Sequence, residues 1–70
     1  MTASVYKVIE LVGTSEKSWE DAVQNVINTA SQTLKDLRIA EVVRLDAKLA
    51  ENKIILYRAR VKLSFRYQKE

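Results

Sequence analysis

The 70-residue chain has no cysteine, no histidine, no proline and a single glycine. Without cysteine there is no disulfide to staple a small fold. Without cysteine or histidine the usual zinc ligands, the usual general base and the most reactive nucleophile are all missing. One glycine rules out a glycine-rich phosphate loop, and no calcium-loop spacing occurs. Catalysis therefore has little material. Glu10, Glu41 and Asp46 are the carboxylates that a strand-borne acid and base pair or a hard cation would use, and strand carboxylates in a chain with nine acids are ordinarily solvated or salt-paired. We read the chain as a binding protein and not an enzyme.

What is present is ordinary for a folded domain: 47% hydrophobic and 30% charged residues, too apolar for a disordered segment. The first residues lead into an apolar run interrupted by Lys7 and Glu10, which fits neither a signal peptide nor a membrane span, so the expectation is a soluble, cytoplasmic protein with no membrane partner. A single domain of this length buries only about 60% of its unfolded surface. Lacking crosslinks and zinc, it is expected to gain stability by oligomerising. A net charge of +3, from 12 basic and 9 acidic side chains, is too mild to indicate nucleic acid but is compatible with an anionic ligand.

Val5 to Val12 is rich in β-branched residues and stops at the turn cluster Gly13-Thr14-Ser15, which reads as a strand. Ser18 offers a helix N-cap, and Glu20 and Asp21 place negative charge at the positive end of the helix dipole. From Ala22 the apolar positions Val23, Val26, Ile27, Ala30, Leu34 and Leu37 recur at spacings of three and four, one buried helical stripe. Ile39 to Ala50 is a second strand, Glu51-Asn52 a turn, and Lys53 to Gln68 a third, long strand with close alternation. One face of this third strand carries Ile55, Tyr57, Ala59, Val61, Leu63, Phe65 and Tyr67 and covers the helix. The other carries Leu56, Arg58, Arg60, Lys62, Ser64 and Arg66.

The fold class is thus α+β, with β-α-β-β order and a three-stranded antiparallel sheet, the long third strand central, wrapped on one helix in a single domain over residues 1–70. About 16 residues of strand at ~3.4 Å each reach roughly 50 Å. A compact domain of this length is about 28 Å across, so the hairpin must curl or project. A two-residue turn at Glu51-Asn52 pairs Leu49 with Ile54, Leu45 with Arg58, Val43 with Arg60, Glu41 with Lys62 and Ile39 with Ser64. In that register Leu45, Ala47, Leu49, Ile54 and Leu56 form an apolar patch near the turn with nothing to cover it, as a subunit interface would. Further along the same face, Glu41, Arg58, Arg60 and Lys62 cluster, either as a solvated charge ladder or as a surface for phosphate or carboxylate groups. Nucleic-acid stacking would need aromatics beside these cations, yet Tyr57, Phe65 and Tyr67 fall on the opposite face, so no nucleic-acid partner is expected.

Val5 to Ser15 (VYKVIELVGTS), the helix start Ser18-Trp19-Glu20, Ala40-Glu41-Val42-Val43 and Tyr57 to Phe65 (YRARVKLSF) together resemble the dodecin family of small β-α-β-β proteins, over nearly the whole chain. The resemblance implies a hollow homododecamer that stores or buffers a small molecule, a flavin or a related phosphate-bearing ligand. It implies flavin (FMN, riboflavin or FAD) bound in pairs between subunits, stacked on a Trp at the start of the second strand and hydrogen-bonded by a Gln on the third. Here those positions hold Ile39, which offers apolar contact without a π-face, and Arg58, which donates but cannot accept. The lone Trp19 sits at the helix start and reads as a packing residue. The sequence is similar to the Trp-lacking branch of the family, for which the resemblance implies calcium binding or a purely structural cage as the alternative. The ligand-binding residues expected are Ile39, Glu41, Arg58 and Arg60.

Overall fold

A computed structural model describes residues 4–67. Strand β1 (Tyr6–Ser15), helix α1 (Trp19–Ala30), strand β2 (Leu37–Ala50) and strand β3 (Lys53–Arg66) follow in that order. The sheet order is β1-β3-β2, with both outer strands antiparallel to the central β3. This is the expected β-α-β-β fold. β3 is central as read from its alternation, but β2 matches it at 14 residues. The end of the third strand at Gln68, proposed from sequence, lies outside the described residues.

β1 begins at Tyr6 and β3 ends at Arg66, one and two residues inside the bounds read from sequence, and three further boundaries differ. β1 does not stop at Val12 but runs through Gly13-Thr14-Ser15. The glycine there is a packing device and not a turn residue: a Cβ on Gly13 would lie 2.4 Å from both the Ala22 carbonyl oxygen and Val26 Cγ2, so its absence lets α1 sit directly on the strand. The turn belongs to Ser15, whose buried Oγ accepts from the amides of Lys17 and Ser18 (2.9 and 3.4 Å) and donates to Asp21 Oδ2 (2.7 Å). Ser18 then caps α1 as expected, its Oγ accepting from the Asp21 amide at 3.0 Å.

At its other end α1 stops at Ala30, before Leu34 and Leu37. The amides of Ser31 and Leu34 take the carbonyls of Ile27 and Ala30, both at 2.9 Å, and close the last turn. Leu34 and Leu37 still reach the core, packed against it from outside the helix. Leu37 begins β2, two residues earlier than the sequence pattern places it.

The core is small: Ala22, Val26 and Ala30 from α1 meet Ala59, Val61 and Leu63 from β3. Of the alternate residues of β3 expected to cover the helix, Ala59, Val61 and Leu63 are buried there, Tyr57 and Phe65 are partly buried, and Ile55 and Tyr67 are exposed because the strand runs past both ends of the helix. The hairpin projects, giving extents of 56 × 20 × 14 Å and a radius of gyration of 14.6 Å against the ~11 Å of a compact chain this long. Glu51 and Asn52 both take positive φ (53° and 65°), the pair of left-handed residues that makes the tight two-residue hairpin turn foreseen there. No helix among the described residues is long and apolar enough to cross a membrane.

Candidate ligand-binding face

The register departs from the simple hairpin in a way that rebuilds the candidate site. Leu49 pairs with Ile54, Glu41 with Lys62 and Ile39 with Ser64, as expected. Between them the pairing slips by one residue, at an irregularity at Lys48/Leu49 and another between Val42 and Arg44 that leaves Val43 as the extra residue. Such bulges re-aim the side chains between them. Leu45 therefore lies opposite Ala59, not Arg58, and Arg44 rather than Val43 lies opposite Arg60. Leu45 and Ala47 share the helix side with Ala59 and Tyr57, so the single apolar patch expected near the turn divides. Leu49, Ile54 and Ile55 remain exposed at the hairpin end, and Leu45 and Val42 are exposed beside the helix.

Since Ala59, Val61 and Leu63 are buried against α1, Arg58, Arg60, Lys62 and Ser64 point to the helix-free face, and cross-strand partners share it. Four rows cross this face from β1 through β3 to β2: Val8-Ser64-Ile39, Glu10-Lys62-Glu41, Val12-Arg60-Arg44 and Thr14-Arg58-Asp46. All four residues expected from sequence, Ile39, Glu41, Arg58 and Arg60, are thus gathered on one face. Ile39 is 59% exposed at the β2 edge, and Val8 and Val12 on β1 are likewise half-exposed.

The charges on this face are arranged in pairs. Arg58 meets Asp46 side-on, Nε to Oδ1 at 2.7 Å and Nη2 to Oδ2 at 2.9 Å. Arg60 reaches diagonally to Glu10 with one contact of 3.3 Å. Arg44 opposite Arg60 sets like charges across the strands, an unfavourable neighbour pair. Asp46 lies within that field: the Arg58 hydrogen bond outweighs desolvation and, with further attraction from Arg58, Arg44 and Arg60, holds its carboxyl below the ordinary value of 3.8. Hydrogen bonding to Asp46 pushes Arg58 further up.

Asp46 is the residue that sequence reasoning omitted from the site. Its signal was present: polar residues occupy the odd position Glu41 but the even positions Arg44, Asp46 and Lys48, a change of phase across Val42-Val43 that marks a bulge. Trp19, read as a packing residue, is one. It is half-buried on the helix side, its Nε1–H donates to the Asp46 carbonyl at 2.9 Å, and its ring meets Tyr57 edge-on at 4.8 Å between centroids. It does not reach the helix-free face.

Two grooves lie on the helix side, one between α1 and β1 at Gly13, Asn25 and Thr29, and another lined by Trp19, Glu20, Val23, Val42 and Leu45. Among the described residues no three acidic side chains gather as a cation site.

This combination of a short core, a projecting bulged hairpin and one helix laid against Gly13 has close counterparts. The sequence pattern of the Dodecin family matches residues 5–68. The calcium dodecin of Mycobacterium tuberculosis is 38% identical over 63 residues, covering 90% of this chain and 89% of its own. Its crystal structure, described as calcium-chelating with a calcium-binding site, superposes with a TM-score of 0.82 over 96% of each chain. A dodecin of Thermus thermophilus is 36% identical over 64 residues, covering 91% of this chain and 93% of its own. The dodecin of Streptomyces coelicolor superposes over the full length of both chains with a TM-score of 0.93 at 33% identity. Sequence pattern, relatives and backbone agree over nearly the whole chain, and the chain belongs to the dodecin family.

Proposed function

We propose that twelve copies of this chain form a hollow, cytoplasmic homododecamer that binds and stores a small molecule of the flavin class (FMN, riboflavin or FAD) without transforming it. Ile39, Glu41, Arg58 and Arg60 line the site, which neighbouring subunits enclose. The observation that carries this reading is the helix-free face itself: an apolar margin of Ile39, Val8 and Val12 beside a row of cations that are largely matched by carboxylates. Such a face suits a ligand with a broad uncharged body and a limited anionic part. Exposed Val42, Leu45, Leu49, Ile54 and Ile55 supply apolar surface for subunit contacts, in keeping with symmetric closure of a small-domain oligomer.

A second reading, a calcium-binding cage, is favoured by the relationship to the Mycobacterium tuberculosis calcium dodecin. Against it, Asp46 and Glu10 are each engaged by an arginine and Glu41 lies opposite Lys62, so a cation site would need carboxylates from several subunits. A native mass spectrum of freshly purified protein separates the two. Twelve subunits with added flavin mass support storage, twelve with added calcium support the cage, and a monomer overturns the assembly common to both.

A further inference from the structure

Asp46 is held on both sides of the sheet. Its backbone carbonyl accepts from Trp19 on the helix side, while its carboxylate takes Arg58 on the helix-free face through two short bonds. A side-on pair of this kind engages two of the five guanidinium N–H groups, fixes the plane of the guanidinium and cancels its charge. The rest of the guanidinium, chiefly Nη1, is left to donate. Arg60 is held differently, by one contact of 3.3 Å to Glu10, although the two pairs are about equally accessible. An incoming phosphate displaces one long contact more readily than two short ones.

From this difference we infer that Asp46 sets which charge the ligand-binding face accepts. It withdraws Arg58 from anion binding and leaves it to donate to an uncharged acceptor such as a carbonyl, and it confines a ligand's phosphate to the neighbourhood of Arg60. The bulge at Val43 makes this arrangement, because without it Leu45 would stand opposite Arg58. The inference rests on the reading that the helix-free face holds a flavin-class ligand.

FMN and riboflavin share a ring system and differ by one phosphate, so the test is to titrate both against the wild-type protein and Asp46→Asn, following quenching of flavin fluorescence. Freeing an exposed guanidinium for a charge-assisted contact should tighten FMN by about three- to tenfold. Riboflavin should stay within about twofold, and the FMN gain should shrink as salt is raised. Asp46→Glu should restore the wild-type ratio. A merely structural role would move both ligands together, and the Trp19 bond, made to a backbone carbonyl, survives the substitution. An unchanged FMN-to-riboflavin ratio with both flavins still bound overturns the inference and leaves the ligand reading standing. Binding of neither flavin by either protein overturns that reading, and the inference with it.

Discussion

The indole N–H of Trp19 donates to the backbone carbonyl of Asp46 across 27 positions of chain, tying the start of the helix to the bulged segment of β2. Few other links hold those elements together, since α1 packs mainly on β1 and β3. Trp19→Phe keeps an aromatic ring against Tyr57 but removes the donor, leaving a carbonyl with one partner fewer. The expected cost is about 1 kcal/mol, and about 2–3 kcal/mol for Trp19→Leu, which also loses the edge-on ring contact. Urea midpoints followed by circular dichroism at fixed protein concentration check both values, because the stability of an oligomer shifts with concentration. Equal midpoints for the two variants would show that the ring contact contributes nothing.

Gly13 makes a sharper prediction. Its backbone angle is not the reason for glycine here, so the whole effect of Gly13→Ala comes from space: the new methyl meets a backbone carbonyl and a core side chain, both at 2.4 Å. Overpacking of this kind costs about 1–3 kcal/mol and more when backbone must move. We expect about 3 kcal/mol of destabilisation. The double variant Gly13→Ala with Val26→Ala should recover only part of it, because the Ala22 carbonyl remains in place. Full recovery in thermal melts would assign the clash to Val26 alone.

The contrast between Gly13 and Val43 marks how much was legible in the sequence. The alternation of β3, the Ser18 cap and the Glu51-Asn52 turn are local patterns, and each appears where it was read. So does the grouping of Ile39, Glu41, Arg58 and Arg60, since Arg58 and Arg60 share one parity on β3 and Ile39 and Glu41 lie before the slip at Val43. Gly13 was misread because a glycine beside Thr and Ser has the composition of a turn, and only the approach of a helix distant in sequence reveals its purpose. The helical stripe extends too far because Leu34 and Leu37 keep helical spacing while packing on the core from the returning loop and the first residue of β2. The slip at Val43 was missed because an unbroken register was assumed, and one extra residue exchanges the faces of Leu45 and Asp46.

Acid should release the Arg58–Asp46 pair. The folded-state pKa of Asp46 lies below its ordinary value of 3.8, chiefly through the Arg58 hydrogen bond. Its contribution to stability is therefore fully present above about pH 4 and is lost as the pH falls through the lower folded value. Asp46→Asn removes that dependence, so the variant's urea midpoint should fall less steeply than the wild type's below pH 4. Between pH 5 and pH 7 the two curves should run parallel. Parallel curves down to pH 2 would place the acid sensitivity in other carboxylates.

Ile39 offers the most direct test of where a ring would lie. It is 59% exposed at the β2 edge and opposite Ser64, so a larger side chain there meets solvent and not the core. Ile39→Trp should therefore be tolerated in stability within about 0.5 kcal/mol. It also adds a π-face beside the Glu10-Lys62-Glu41 row, where isoleucine supplies apolar contact alone. Stacking on one aromatic contributes about 1–3 kcal/mol, so riboflavin should bind at least about fivefold more tightly to the variant. Riboflavin is the right probe because it lacks the phosphate, which separates stacking from the charge effects at Arg60. Fluorescence quenching titrations at fixed salt measure the change. A gain of that size places the ring against β2, whereas equal affinities would move the flavin away from Ile39 and remove this residue from the site.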